Sequence, residues 1–99
     1  MVKRNELQID RIIHQPIRTK IFAYMASKEK VSFVFIKNKL EISDGNLATH
    51  MQKIVQAGYA KVEKKTICNN TQTTYSLTQL GKQAFSNYIR ELIELLKEN

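Results

Sequence analysis

Several classes of chemistry are missing from this 99-residue chain before any motif is sought. It has one cysteine, Cys68, so no internal disulfide can form, which fits a reducing compartment. Two histidines and that cysteine, far apart in sequence, do not make a zinc motif, so neither a metal nor another cofactor is expected. There is no tryptophan, one proline, three glycines, and no repeat or low-complexity tract. Everything after residue 5 therefore reads as ordered, as one domain over 1–99 with residues 1–5 outside its ordered part. No run approaches the roughly 18 apolar residues of a membrane span, and no apolar block follows the first charged residues. A cytoplasmic protein with no membrane association is the expectation. A phosphate-cradling glycine loop, a nucleophile elbow and an acid pair on one catalytic face are also missing, so no enzyme is expected.

What is present begins with charge. Sixteen Lys and Arg face nine Asp and Glu, a net charge of +7. Residues 78–99 are neutral, with three cations against three carboxylates, so the whole excess lies before them. A basic balance attracts polyanions in general and, alone, does not choose among them.

Apolar spacing and turn residues set the order of elements. Leu7, Ile9, Ile12 and Ile13 suggest a short first helix that breaks at His14-Gln15-Pro16. Pro16 suits the first position of a second helix, in which Ile17, Ile21, Tyr24 and Met25 share a side. The polar Ser27–Lys30 stretch closes it, and Val31 is a very short strand. Ser32 caps a third helix over 33–40, with Phe33, Ile36 and Leu40 inward. Ser43 caps a fourth, and Gly58 ends it in a left-handed conformation. Residues 59–65 alternate as a strand, 66–73 read as a polar loop with an Asn69-Asn70 turn signal, and 74–77 as a second strand. Thr78 caps a long last helix, 78–97. Two short helices joined by a tight turn and followed by a hairpin make a winged helix-turn-helix, a mainly α chain with a small β-hairpin (α+β).

Five spaced motifs then resemble those of the prokaryotic winged-helix regulators of the MarR/ArsR type. They are His14-Gln15-Pro16-Ile17-Arg18, Ser32-Phe33 with Leu40, the run from Gly45 to Met51, Ala57-Gly58-Tyr59, and Tyr75-Ser76-Leu77-Thr78 with Gly81, Ala84 and Phe85. The resemblance spans roughly residues 7 to 96 and implies homodimeric transcriptional regulators that bind operator DNA. The chain departs from the pattern at Ala48, where the family usually has Ser. It departs again in 66–73, which lacks the Gly, Arg and Pro common there.

The fourth helix carries the chemistry. Leu47, Met51, Ile54 and Val55 cluster on one side as core, which leaves Gly45, Asn46, Thr49, Gln52 and Lys53 opposite. Asn46 and Gln52 can pair with adenine, Lys53 with guanine or a phosphate, and Thr49 with a base edge or a thymine methyl. Gly45 lets backbone approach the sugar-phosphate chain, and the helix N-termini at Ser32 and Ser43 suit phosphates. Asp44 complements the helix dipole. His50 borders the apolar stripe, either as a phosphate contact strengthened by protonation or as a half-buried histidine bonded to backbone. On the hairpin, Lys64, Lys65, Asn70, Thr71 and Thr73 are candidate backbone contacts, and lysines there would add sequence-blind affinity. The bland alternative for each is a solvated face or an edge kept soluble by its lysines.

The last helix is apolar over more than half of its circumference, wider than the single stripe of a monomeric domain. Tyr88, Leu92, Leu95 and Leu96, with Leu7, Ile9, Ile12 and Ile13, are the expected homodimer interface, so the N- and C-terminal helices pair two copies. A two-fold dimer sets its reading helices about 34 Å apart on a palindrome. The expected function is a sequence-specific double-stranded DNA-binding transcriptional regulator. The alternative is a winged-helix protein–protein interaction module without DNA binding, favoured by the near-neutral charge of 31–58. An unidentified small-molecule effector in a pocket at the dimer interface fits this reading, though no residue demands one.

Overall fold

The computed structural model describes residues 9–97. The order is α1 (Pro16–Ala26), β1 (Val31–Ser32), α2 (Phe33–Leu40), α3 (Asp44–Gln56), β2 (Ala60–Ile67), β3 (Asn70–Leu77) and α4 (Gln79–Lys97). The strands form one antiparallel sheet in the order β1-β3-β2.

The expected first helix is not formed over the described part of its span; Leu7 lies outside the described residues. Arg11–Ile13 is a turn. Its cause is local competition for backbone donors, because Asp10 Oδ1 accepts from the amides of Ile12 at 2.8 Å and Ile13 at 3.2 Å. The carbonyls are taken as well. Arg18 Nε donates to Ile12 O, and Thr19 Oγ1 donates to Ile13 O, both at 2.6 Å. The turn is thus held to α1 by side chains, and Ile13 is driven into the core at 0% exposure.

Helices α1, α2 and α3 follow from their caps. Gln15 accepts from the Arg18 amide ahead of Pro16, Ser32 from the Phe35 amide, and Ser43 from the Asn46 amide. Gly58, at φ +83°, takes the left-handed position after α3. Ile21, Phe22 and Met25 of α1, Ile36 of α2, and Leu47, Met51 and Ile54 of α3 converge with Val31, Tyr75, Leu77 and Tyr88 on one core.

The hairpin is longer than its sequence suggests. The stretch read as a loop, 66–73, is strand up to Ile67 and again from Asn70, joined by the two-residue turn Cys68-Asn69. Both turn residues have positive φ (50° and 67°), as the tight turns that match strand twist require. The alternation was hidden because every residue from 61 to 72 is exposed, so neither face had to be apolar.

Helix α4 is fastened at its root. Thr78 Oγ1 accepts from the Gly81 amide and donates to Gly58 O, while the Thr78 amide donates to Tyr59 O. A Cβ at Gly81 would lie 2.0 Å from Tyr59 O, so only glycine permits this approach. Further along, Tyr88 is buried and bonded to His14 Nδ1 at 2.9 Å, and Phe85 stacks between Phe22 and Tyr88. Ile89, Ile93 and Leu96 remain exposed.

Candidate nucleic-acid interface

Helix α3 divides as its spacing predicts. Leu47, Met51 and Ile54 are at most 1% exposed, and Val55 is half-buried. Gly45, Asn46, Thr49, Gln52 and Lys53 are all exposed and fall within one arc of the helix. No segment of the described chain covers that arc. Thr49 Oγ1 donates to Gly45 O at 3.0 Å, which leaves its oxygen free to accept and its methyl outward. A Cβ at Gly45 would meet nothing within 4 Å, so the fold itself does not require glycine there. Ser43 is exposed and Ser32 half-buried; both hydroxyl oxygens cap a helix and keep a hydrogen to donate.

Two cations not assigned to the site from the sequence shape this surface. Lys37 Nζ, on α2, pairs with Asp44 Oδ1 at 2.9 Å, so the acid in the first turn of α3 is tied to the preceding helix. Spacing along one helix gives no sign of such a pair. Arg18, within the His14–Arg18 motif, sends Nε to Ile12 O, Nη2 to Arg11 O and Nη1 to His50 Nδ1 at 3.1 Å. One guanidinium thereby joins the N-terminal turn to α3. Its place in a recurrent motif was the available signal.

That contact gives His50 a partner that neither sequence reading named. The ring is half-buried and its pKa is lowered, first by burial and then by the charges of Arg18 and Lys53. A neutral imidazole accepting from a guanidinium is the stable arrangement. The printed partner of His50 is thus a side chain, Arg18, rather than backbone.

The register sorts the hairpin residues into two faces. Lys64 pairs with Thr73 and Thr66 with Thr71, on the same face as the Val62–Tyr75 pair. Val62, Tyr75 and Lys64 line a groove of about 240 Å3 with Ala48, Gln52 and Gln56 of α3. Lys64, Thr71 and Thr73 thus share a face with the outer arc of α3. Lys65 and Asn70 point to the opposite face, where Lys65 is paired with Gln72 and Asn70 with Ile67. On that face Glu63 bonds Lys30 Nζ at 2.9 Å, which removes one carboxylate from the field of the lysines around it.

The residues expected at a subunit interface also divide. Ile13 and Tyr88 are core, at 0% and 4% exposure, and offer no surface to a second copy. Ile9, Ile12, Leu92 and Leu95 are half-buried, and Leu96 is 74% exposed. No group of three or more metal-ligating side chains occurs among the described residues, and no described helix is long and apolar enough to cross a membrane.

Comparison with known proteins places this geometry in context. Residues 17–96 match the winged helix DNA-binding domain family. An uncharacterized protein of Methanocaldococcus jannaschii is 34% identical over 87 residues, covering 88% of this chain and 95% of the other. A transcriptional regulator homologue from Pyrococcus horikoshii OT3 has the same fold, with a TM-score of 0.82 at 22% identity over 90% of this chain and 88% of that one. A cysteine-to-serine mutant of MarR from E. coli, solved in complex with operator DNA, gives a TM-score of 0.62 at 16% identity over 84% and 64% of the two chains.

Proposed function

The chain belongs to the winged helix DNA-binding domain family, and from that premise we propose that it is a sequence-specific transcriptional regulator that binds double-stranded DNA as a homodimer on a palindromic operator. The observation that carries the reading is the outer arc of α3. It is uncovered, rich in amides and hydroxyls, and free of carboxylates apart from the paired Asp44. Asn46, Thr49, Gln52 and Lys53 are the base-reading set. Ser32, Ser43, the first-turn amides of α3 and Lys64 hold the phosphates, with Thr71 and Thr73 beside them. Gly45 supports the assignment: glycine in a helix costs about 1 kcal/mol against alanine, and here no intramolecular contact offsets that cost. A partner backbone lying close to the helix does. The fold shared with MarR, whose mutant was solved on operator DNA, agrees with this placement.

The second copy is assigned to the distal turns of α4, where Leu92 and Leu95 are half-buried and Ile93 and Leu96 exposed, and to the half-buried Ile9 and Ile12. The reading includes no catalytic step. The test is selection of duplexes from a random pool, followed by affinity measurement across salt concentrations. A two-fold symmetric consensus with half-sites about one helical turn apart is expected, with binding that weakens as salt rises. No salt-sensitive binding to any duplex would overturn the reading and leave a protein–protein interaction module.

A further inference from the structure

We propose that Arg18 is a positioning residue for α3: it reads no base itself, and its guanidinium fixes how the outer arc of that helix meets a duplex. The inference rests on the reading of α3 as the DNA-contacting helix and adds to it a residue of α1. The contacts that hold α3 to the core are apolar, through Leu47, Met51 and Ile54. Apolar burial is non-directional, so it holds the helix down without fixing its rotation or slide. Readout of a base edge needs both fixed, to within about 0.5 Å. Directional contacts supply that precision. Lys37 meets Asp44 in the first turn of α3, but the two side chains are 40% and 74% exposed. Arg18 meets His50 in the second turn, where both residues are half-buried.

Arg18 is itself anchored. Its Nε donates to Ile12 O at 2.6 Å and Nη2 to Arg11 O at 3.4 Å, while Nη1 donates to His50 Nδ1 at 3.1 Å. One planar group thus spans the N-terminal turn and α3. The turn is a firm reference. Ile13 is buried, Thr19 bonds the Ile13 carbonyl, and Asp10 Oδ2 accepts from the Tyr59 hydroxyl at 2.6 Å. Tyr59 stands two residues past the Ala57 cap of α3. The same turn therefore meets α3 in its second turn through Arg18 and just past its end through Tyr59. His50 follows Thr49 directly and lies one helical turn from Asn46 and from Lys53. A shift at His50 is a shift of the base-reading set. Lysine keeps the charge of Arg18 but is a single point of attachment, and it cannot reproduce the planar fork.

The test compares a duplex selected from a random pool by the parent protein with a random duplex. The ratio of the two affinities is the readout, because a partly unfolded sample lowers both by the same factor. Arg18→Lys should lower that ratio about tenfold, the scale for residues that act on a site without touching its ligand. His50→Leu should lower it similarly. The Arg18→Lys/His50→Leu double variant should lower it no further, since both single changes remove the same contact. Arg18→Gln should lower the ratio without flattening the dependence of affinity on salt. An unchanged ratio in Arg18→Lys, or losses that add in the double variant, overturns the positioning role and leaves the reading of α3 standing. A flatter salt dependence in Arg18→Gln with the ratio kept also overturns it, since Arg18 would then be a phosphate contact. A parent protein that selects no duplex removes the reading of α3, and this role with it.

Discussion

The first turns of α3 and α4 are built alike and used in opposite ways. Each has a hydroxyl residue ahead of it, Ser43 or Thr78, whose oxygen accepts from an amide three residues on. Each carries a glycine in that turn. At Gly81 an added Cβ would strike the Tyr59 carbonyl at 2.0 Å, whereas at Gly45 it would meet open space. One glycine lets two parts of this chain touch. The other keeps a surface low where the chain touches nothing of its own. The helices differ in the same sense beyond their first turns. What α3 leaves exposed is polar apart from Ala48, and what α4 leaves exposed beyond Tyr88 includes Ile89, Ile93 and Leu96. The leftover surface of a helix indicates the chemistry of what should cover it: a hydrogen-bonding, charged partner for α3 and an apolar one for α4.

The widest separation between the two turns should come from Gly81→Ala. The obstructing atom is backbone and cannot rotate away. A loss of about 3 kcal/mol is expected, the upper part of the overpacking range, measured by urea unfolding. Retained stability would mean that the root of α4 is not where its contacts place it.

Asn46→Ala and Thr49→Ala should leave unfolding unchanged, because both side chains are exposed and neither supports the core. Each should reduce the preference for the selected operator over random DNA by about 1–3 kcal/mol for the base pair it reads. Unchanged preference in both would remove α3 as the reading helix. Gly45→Ala sharpens the contrast with Gly81. It should raise stability by about 0.5–1 kcal/mol through helix propensity while weakening DNA binding. A variant that gained stability and kept full affinity would show that no partner backbone approaches there.

The hairpin offers a smaller contrast between its two faces. Lys64 shares the face that adjoins α3 and Lys65 does not. Lys64→Ala should flatten the slope of log affinity against log salt by about 1, and Lys65→Ala by less. Equal slopes would mean that the hairpin straddles the backbone with both faces.

How much of this was written in the sequence depends on whether the deciding interaction is local. The bounds of α2, the Ser43 cap and the Gly58 stop were legible because each is set within a few residues. The inward side of α3 was legible because Leu47, Met51 and Ile54 repeat at helical spacing. The first turn has a local half, the Asp10 carboxylate that accepts from the amides two and three residues on, but what ties it to α1 is not local, since its carbonyls are satisfied by Arg18 and Thr19, six residues on. The length of the wing was hidden because both its faces are wet. Tyr88 and Ile13 were assigned outward because an apolar surplus was counted helix by helix. The core that absorbs them is assembled from α1, the sheet and α4 together. On α3 itself, periodicity separated exposed polar residues from core, but the couplings of Lys37 to Asp44 and Arg18 to His50 join different elements and leave no periodic trace.

The last contrast is within α3, between the exposed Lys53 and the half-buried His50 one turn earlier. The lowered pKa of His50 has a sign that can be read in stability. The folded protein holds fewer protons on this ring than the unfolded chain does between the lowered value and 6.5. Stability from His50 is therefore fully present above pH 6.5 and is lost as pH falls through the folded pKa. The protonated ring would face two cations, Arg18 from α1 and Lys53 from its own helix, and would lose the Arg18 Nη1 bond. Urea midpoints measured between pH 5 and pH 8 should decline toward the acid end in the parent protein. His50→Gln keeps an acceptor for Arg18 without a titrating proton, so it should remove part of that decline and leave the midpoint at pH 8 nearly unchanged. Because the site is largely open to water, the effect should be the smallest of the set. If His50→Gln leaves the acid decline intact, protonation of His50 against Arg18 and Lys53 does not contribute to it.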